Sequence, residues 1–312
     1  MENFTQVTIF TFSGLNESRT NKNIYFAFTL FLYLLTVVVN LTVIATIIIE
    51  KTLHEPMYIL LCNLCVNGLY GTAGFYPKLL DDFLSDSHVI SISYTGCLTQ
   101  AFVIYSHALC EITILTVMAY DRYVAICRPL QYHSVMTPLT VGKLLLFAWG
   151  YPFCSRVITI YLILRLPLCG SHIEKLYCDN SSVLKLSCLA TTLSSAYGYI
   201  IIIAQLAQAT FIIYTYIQIV RACLKSIEQR SKFMQTCLPH LMALISFIIA
   251  ALIDMLYSRY STETLSPSLR NIMAVEYLVI PPLFNPLVYG LKLHQIRSRV
   301  FRACARDKVT RM

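Results

Sequence analysis

The chain has 312 residues, of which 57% are hydrophobic and only 13% are charged. An ordinary soluble domain carries about 25% charged residues, so this composition excludes a soluble protein that must cover its surface with polar groups. A protein surrounded by lipid has no such need. The net charge of +8 leaves nucleic-acid binding as an alternative, which depends on where the basic residues lie along the chain.

Seven apolar runs follow one another along the chain, and about 20 apolar residues are enough to cross the hydrocarbon core of a bilayer. We predict membrane spans near residues 24–49, 57–80, 97–121, 141–164, 195–220, 236–257 and 271–291. The N-terminus lacks the basic start and short apolar core of a cleavable signal peptide, so the first span is expected to act as a signal-anchor. Pro152 is expected to kink the fourth span.

The sequence shows no internal repeat or second domain, so we predict one all-α membrane domain, a seven-transmembrane helix bundle, over residues 1–312. It divides into an N-terminal segment of 1–23, the bundle of 24–291 and a tail of 292–312 that forms a short amphipathic helix. Basic residues favour the cytoplasmic side of a membrane. With the N-terminus outside, eight of the 24 basic residues lie on the inner side of the bundle and seven in the tail. The charge therefore indicates an extracellular N-terminus and a tail against anionic lipid of the plasma membrane, without nucleic acid.

Glycosylation motifs agree with this orientation. Asn3, Asn16 and Asn180 each begin an Asn-x-Ser or Asn-x-Thr motif in a segment predicted to be extracellular, where a glycan can be attached. A fourth motif begins at Asn40 within the first span, and we expect it to be unmodified.

Cysteines divide into an outer and an inner group. Four of them are predicted to lie outside, where three pairings are open: Cys97, Cys169, Cys178 and Cys188. The others lie in or under the bilayer, as small apolar residues would. The spacing of Cys62 and Cys65 resembles half of a zinc site, but no second ligand pair accompanies it, so we predict no metal there.

Three motifs carry a resemblance to a known family. Residues 118–127 read MAYDRYVAIC, residues 281–290 read PPLFNPLVYG, and residues 54–58 read HEPMY. Asp-Arg-Tyr with a later Asn-Pro-x-x-Tyr is similar to rhodopsin-like G-protein-coupled receptors. The longer motifs, together with SKF at 231–233 and TCLPH at 236–240, resemble odorant receptors in particular, and the similarity runs from about residue 25 to 305.

The resemblance implies an odorant receptor without a cofactor. Such a receptor binds a small odorant within the bundle and activates a stimulatory heterotrimeric G protein, which raises cyclic AMP; the alternative is a rhodopsin-like receptor for another small ligand outside the olfactory system. The implied coupling and switch residues are Asp121, Arg122, Tyr123, Tyr216, Asn285, Pro286 and Tyr289. In the inactive state Asp121 pairs with Arg122. On activation Tyr216 and Tyr289 close behind the released Arg122, while Pro286 provides a hinge.

The resemblance also implies the disulfides. Cys97 is expected to pair with Cys178, as in rhodopsin-like receptors, and Cys169 with Cys188, as in odorant receptors. This chain departs from the family at three places: Gly68 stands where many relatives have an aspartate, Val39 where a glycine is usual, and Ile248 where many have a tyrosine.

Glu111 is the one acidic residue deep in a predicted span. It precedes Arg122 by eleven residues, or about 16 Å of helix, which places it near the middle of the membrane. A carboxylate there must be protonated, paired or bound to a cation. His107 lies one turn away on the same face, and we expect Asn40, Asn67 and Asn285 to converge at this depth. We predict a polar switch that favours the inactive packing, with sodium as a candidate ligand of Glu111; the alternative is a hydrogen-bonded structural residue.

The ligand pocket is expected between spans three, five, six and seven, from the geometry of the family. The residues expected to line it are Tyr105, Ala108, Ile200, Ala204, Ile248, Ala251, Met255 and Leu278, each of which could equally be plain helix packing. Arg156 and Glu276 are charges in the outer halves of two spans. We expect them to extend to the headgroups; the alternative is that one of them meets a charged ligand.

Two other classes of membrane protein fit the sequence less well. A transporter or channel predicts paired half-helices or internal repeats with charges at mid-membrane, and the sequence has neither repeats nor such a set. An enzyme needs a cluster of catalytic groups, and Glu111 with His107 is the only intramembrane pair of that kind. We therefore predict that the chain is not an enzyme.

Overall fold

The structure, a computed structural model, describes residues 7–12, 18–85, 89–173, 175–224, 237–260 and 267–292. The side chains of 254–260, 267–277, 291 and 292 lie outside the description. Two of the predicted glycosylation sites, Asn3 and Asn16, and most of the predicted tail helix therefore fall outside the described residues.

Nine α-helices occupy most of the described chain, and seven of them are long. They are α1 Arg19–Ile49, α2 Pro56–Leu84, α3 Tyr94–Cys127, α4 Tyr132–Val135, α5 Pro138–Leu164, α6 Asn180–Lys185, α7 Thr192–Cys223, α8 Leu238–Tyr260 and α9 Pro267–Lys292. Short 3₁₀ turns at Lys51–Leu53 and Pro129–Gln131 join some of them. Each predicted span falls on one long helix, although α1 begins five residues before the predicted span and α3 ends six residues after it. Residues 19–23 of the predicted N-terminal segment therefore belong to α1.

Polar side chains cap the N-termini of several of these helices. Ser18 accepts a hydrogen bond from the backbone N–H of Asn21 at 3.3 Å, and Ser93 accepts one from that of Gly96 at 3.1 Å. Such N-caps satisfy backbone donors that have no partner within the helix. Pro152 does not interrupt α5, which continues as one helix from Pro138 to Leu164.

Five of the long helices, α1, α2, α3, α5 and α7, are long and apolar enough to cross a membrane. The described parts of α8 and α9 contain shorter apolar stretches, Leu238–Ile253 and Leu278–Gly290. Large apolar side chains cover the outside of the bundle, as with Phe28 and Phe31, each 61% exposed. A surface of this kind is stable in contact with acyl chains rather than with water.

Helix α3 lies at the centre of the bundle and packs against α2, α5 and α7, while α9 packs against α1, α2 and α8. We refer to the end of the bundle where α3 begins as the Cys97 end and to the opposite end as the Arg122 end. One apolar cluster, which contains Leu115, Tyr216 and Tyr289, lies toward the Arg122 end. A second cluster, which contains Ile104 and Leu278, lies toward the Cys97 end.

A small β-sheet at the Cys97 end was not predicted and adds to the mostly helical bundle. Strand β1 (Ile9–Phe12) pairs antiparallel with β2 (Ile90–Ser93) and parallel with β3 (His172–Ile173). Phe10 and Phe12 point inward and are 0% and 3% exposed, so the N-terminal strand is packed into the second apolar cluster.

Two disulfides stabilise the same end. Cys97 at the start of α3 is bonded to Cys178, with their Cα atoms 5.3 Å apart, and Cys169 is bonded to Cys188, with their Cα atoms 5.1 Å apart. These are the pairings that the family resemblance implies. The backbone N–H of Cys178 also donates to Oε1 of Gln100 at 2.9 Å, which ties the loop a second time to α3.

Candidate functional site: two polar networks and an apolar cluster

Glu111 lies at the centre of a buried polar network between α2, α3 and α9. Its side chain is 1% exposed. Nδ2 of Asn67 donates to Oε2 of Glu111 at 2.8 Å, and Nδ2 of Asn285 donates to Oε1. Three helices are thus joined through one carboxylate, as expected for Glu111, Asn67 and Asn285.

His107 belongs to this network but does not contact Glu111 in the described structure. Its Nδ1 donates instead to the backbone carbonyl of Asn67 at 3.0 Å, and Nδ2 of Asn67 donates to the carbonyl of His107 at 3.1 Å. The ring turns toward α2, so His107 joins the network through Asn67 and not through a hydrogen bond to Glu111. Gly71 makes room for it, since a Cβ there would lie only 2.5 Å from Cγ of the imidazole.

Asn40 joins α1 to α9 and also does not reach Glu111. Its Nδ2 donates to the carbonyls of Thr36 and Pro282, both at 2.8 Å. Pro286 has no N–H, so the carbonyl four residues earlier, that of Pro282, loses its partner in the helix. Asn40 supplies the missing donor, which explains how α9 contains a proline here in an apolar environment.

Three amide oxygens around this network have no hydrogen-bond partner among the described residues. They are Oδ1 of Asn40, Asn67 and Asn285, all buried. Buried polar atoms usually have partners, so this group requires an explanation. Gly68 lies in the same place, and a Cβ added there would be 3.3 Å from Oδ1 of Asn40. No group of three or more His, Cys, Asp or Glu side chains that could hold a metal gathers in the described residues.

A second polar network closes the Arg122 end of α3. Nε of Arg122 donates to Oδ2 of Asp121 at 2.8 Å, and a terminal guanidinium nitrogen donates to the same oxygen. The hydroxyl of Tyr132, on α4, donates to Oδ1 of Asp121 at 2.8 Å. Burial and the Asp121 carboxylate both raise the pKa of Tyr132. Asp121 is 0% exposed and Arg122 is 9% exposed, so the ion pair is held out of water.

Tyr216 and Tyr289 lie in the apolar cluster beneath this ion pair. Nε2 of His240 contacts the carbonyl of Leu115 at 3.0 Å, and Nδ1 contacts the hydroxyl of Tyr216. A neutral imidazole has one N–H, which must donate to the carbonyl, so Tyr216 donates to Nδ1. The buried hydroxyl of Tyr289 has no hydrogen-bond partner among the described residues.

His240 was not predicted as a site residue, although it links α3, α7 and α8. It is 1% exposed. The sequence feature that could have identified it is a histidine at the start of an apolar run. Tyr123 packs in a small cluster with Val124 and Met136, and the guanidinium of Arg128 lies 5.8 Å from the centre of its ring.

Half of the residues predicted for the ligand pocket come together. Tyr105 and Ala108 of α3 and Ala251 of α8 pack against the second apolar cluster, which contains the buried Leu278 of α9. Tyr105 is only partly buried. Small-molecule sites are usually lined by apolar side chains from several elements with few polar groups, and this cluster of three helices has such a lining.

The other predicted pocket residues do not join this cluster. Ile200 and Ile248 are 60% and 49% exposed, which on a bundle in lipid places them against acyl chains. Their prediction as pocket residues is therefore corrected. Ala204 is partly exposed and is not a member of the cluster, and the side chain of Met255 lies outside the described residues.

Arg156 does not extend to the headgroups, contrary to expectation. It is 6% exposed and lies on the inner face of α5 with Ala148, Pro152 and Ser155. Its guanidinium carbon lies 5.9 Å from the centre of the Tyr105 ring. The side chain of Glu276, the other charge of this kind, lies outside the described residues.

The third predicted glycosylation site, Asn180, is the first residue of α6 and is partly buried. Its Oδ1 is buried without a hydrogen-bond partner in the described part of the chain. Asn40, whose motif was expected to be unmodified, is fully buried.

The fold is similar to that of squid rhodopsin, with a TM-score of 0.72, 92% of this chain and 86% of the rhodopsin chain covered, and 14% sequence identity. That likeness defines a rhodopsin-like helical membrane bundle. The sequence profile described as olfactory receptor matches residues 28–307. Human Olfactory receptor 8I2 is 34% identical over 308 residues, which cover 97% of each chain, and rat Olfactory receptor 1468 is 33% identical over 323 residues, which cover 99% and 98%. The chain belongs to the olfactory receptor family. It is an odorant receptor, a multi-pass protein of the plasma membrane and not an enzyme.

Proposed function

We propose that the chain crosses the plasma membrane seven times, with its N-terminus outside, and that an odorant bound within the bundle activates a stimulatory heterotrimeric G protein and raises cyclic AMP. The buried Asp121–Arg122 pair at the end of α3 carries the proposal. In a member of this receptor family, such a pair is the contact that an activated state must open.

The topology is supported by the seven long helices and by charge. The basic residues concentrate in the loops and the tail on the Arg122 side, as the cytoplasmic side of a membrane protein requires. An epitope at residue 2 is expected to be stained on intact cells, and one at residue 312 only on permeabilised cells. The opposite pattern contradicts the proposal.

The coupling switch is proposed to work through competition for hydrogen bonds. In the described state Arg122 is bound to Asp121, and Tyr216 is bound to His240. Release of Arg122 exposes a cation to the G protein, while Tyr216 and Tyr289, whose hydroxyl has no partner in the described part of the chain, lie in the cluster below and stabilise it. The transition exchanges one set of buried contacts for another, which is the form of a two-state element.

The network around Glu111 is proposed to hold α2, α3 and α9 in the inactive packing. The Oδ1 atoms of Asn40, Asn67 and Asn285 have no hydrogen-bond partner among the residues that the structure describes, and with the Glu111 carboxylate they suit a small hard cation that prefers oxygen ligands. Sodium fits this donor set. It would supply positive charge to the carboxylate, and the asparagine amides would orient Glu111 toward it.

The test is a cyclic-AMP reporter screen of the full chain against chemically diverse odorants, including water-soluble acids and amines. At least one odorant is expected to raise cyclic AMP in cells that express the wild-type chain. Arg122→Ala is expected to abolish that response at equal surface expression, whereas Arg165→Ala, a change at an exposed residue directly after α5, is expected to preserve it. A response that persists in Arg122→Ala contradicts the proposed switch.

A further inference from the structure

A groove of about 540 Å³ lies between α2 and α3 in the half of the bundle toward the Cys97 end. It follows α2 from Tyr70 to Lys78, eight residues or about 12 Å of helix. Ala73 and Pro77 are exposed along it, so the groove opens to the outside of the bundle, where acyl chains lie. Its polar lining residues are Lys78, Ser93, Thr95, Thr99 and Gln100, and its other lining residues are Tyr70, Ala73, Gly74, Pro77, Ile92, Gly96 and Val103.

The walls of this groove are held in fixed positions by contacts between α2 and α3. Gly74 allows the two helices to approach closely, because a Cβ there would overlap the side chain of Val103. Nε2 of Gln100 donates to the carbonyl of Gly74 at 3.4 Å. The ring of Tyr70 closes the lower end, and its hydroxyl is hydrogen-bonded to that of Ser106 at 2.8 Å. A ligand therefore meets a preformed surface, which lowers the cost of binding.

The polar part of the groove suits a neutral headgroup. Lys78 contacts Asp82, which is 3% exposed, and its Nζ lies 3.6 Å from Oδ2 of the exposed Asp81, so the charge of the ammonium is already balanced. An anionic headgroup would be repelled by these two carboxylates. A hydroxyl avoids that repulsion, since it accepts a hydrogen bond from one of the three N–H groups of a lysine and donates one to another hydroxyl, such as that of Thr99.

The apolar part of the groove favours a rigid body over a flexible chain. Ala73, Gly74 and Pro77 give the α2 side small side chains or none, which leaves a flat surface. Acyl chains touch the whole outside of the bundle, and fixing one of them in a groove costs conformational freedom at each of its rotatable bonds. A fused ring system has no such freedom to lose, so it binds a flat, preformed surface at lower cost.

We propose that this groove binds a membrane sterol, an amphiphile with one hydroxyl on a flat body of fused rings. The hydroxyl lies at Lys78 and Thr99, and the rings extend along Pro77 and Ala73 toward Tyr70. A sterol bound there joins α2 to α3 and stabilises the folded chain, as any ligand of the native state does. The site goes beyond the proposed function, because it needs neither the odorant site nor the G protein.

The experiment is photo-crosslinking of the purified full-length chain in phosphatidylcholine nanodiscs with a cholesterol that carries a diazirine on its ring system. Labelled peptides are mapped by mass spectrometry in the presence of unlabelled competitors. We expect labelling within residues 70–78 and 92–103, which line the groove. Cholesterol is expected to compete roughly 10-fold better than its 3α epimer, because the epimer's hydroxyl points out of the ring plane and loses the bond to the ammonium.

Two variants test the two parts of the groove. Ala73→Phe places a ring in the groove from an exposed position and is expected to weaken competition by cholesterol roughly 10-fold. The matched control is Ala27→Phe, the same exchange at an exposed residue near the start of α1, which should be labelled and competed as the wild type is. Lys78→Met removes the ammonium, so it is expected to abolish the preference for cholesterol over the 3α epimer.

Three results overturn the proposal: cholesterol does not reduce labelling of these segments, the 3α epimer or phosphatidylserine competes as well as cholesterol does, or Ala73→Phe behaves as the wild type. If Ala73→Phe does not fold, Lys78→Met decides, and an unchanged preference between the epimers refutes the site. Because labelling needs no odorant and no G protein, its failure contradicts only the sterol site, whereas a missing cyclic-AMP response contradicts only the proposed function.

Discussion

Replacement of Glu111 by glutamine tests whether the buried network restrains the receptor. The carboxylate accepts two hydrogen bonds, from Asn67 and from Asn285, each charge-assisted and contributing about 1.5–3 kcal/mol. Oε1 of the glutamine accepts one of these bonds, and its Nε2 keeps the second contact only if that asparagine amide turns to present its oxygen; the two bonds are then neutral and about half as strong. The inactive packing therefore loses about 1.5–3 kcal/mol in total, which changes its equilibrium with the active packing roughly 10- to 100-fold. Basal cyclic AMP is expected to rise.

The assay compares basal and agonist-stimulated cyclic AMP in cells with equal amounts of receptor at the surface. Asp81→Asn is the matched control, because it also neutralises a carboxylate, but one whose side chain is 79% exposed at the end of α2. It is expected to signal as the wild type does. If Glu111→Gln reaches the surface and shows wild-type basal activity, agonist potency and sodium response, Glu111 is a structural residue and the proposed restraint is refuted.

Two further predictions concern packing, and both are checked by thermal unfolding of the purified chain. Gly71→Ala is expected to destabilise the fold by about 1–3 kcal/mol, because its Cβ would meet the His107 ring, whereas Gly198→Ala has open space and should be neutral. Phe10→Ala is expected to cost about 3–5 kcal/mol, because the ring is fully buried under β1, whereas Ile9→Ala, at a 54% exposed side chain, should cost far less. For either pair, equal melting temperatures of the two variants would contradict the packing described for Gly71 or for Phe10.

The sequence predicted the long helices well because each is an apolar run with polar residues or prolines at its ends. It also predicted that Glu111, Asn67 and Asn285 meet, since depth along a helix follows from residue count and polar side chains in lipid must find one another. The sheet was missed because β1 has only four residues, with no partner nearby in the sequence. Its stability comes from strands about 80 and 160 residues away, which a local pattern cannot reveal.

The hydrogen-bond partners within the polar networks could not be predicted from the sequence either. His107 is one turn from Glu111 on the same helix, yet it bonds to the backbone of Asn67, because Gly71 leaves space on the side of α2. Asn40 bonds to the carbonyl that Pro286 leaves without a donor, a partner 242 residues away. Every residue has a backbone carbonyl, so a sequence does not show which carbonyl accepts a hydrogen bond from a given side chain. A prediction from sequence therefore pairs such a side chain with a nearby polar side chain instead.

The coupling of ligand to G protein is the central claim, and nucleotide exchange measures it directly. Purified receptor is mixed with a purified stimulatory G protein, and the release of GDP is followed with and without an agonist from the reporter screen. The agonist is expected to accelerate release with the wild-type chain and with Arg165→Gln, and not with Arg122→Gln. Release that is unaffected by an agonist shown to bind, or that is accelerated equally in Arg122→Gln, would contradict the account.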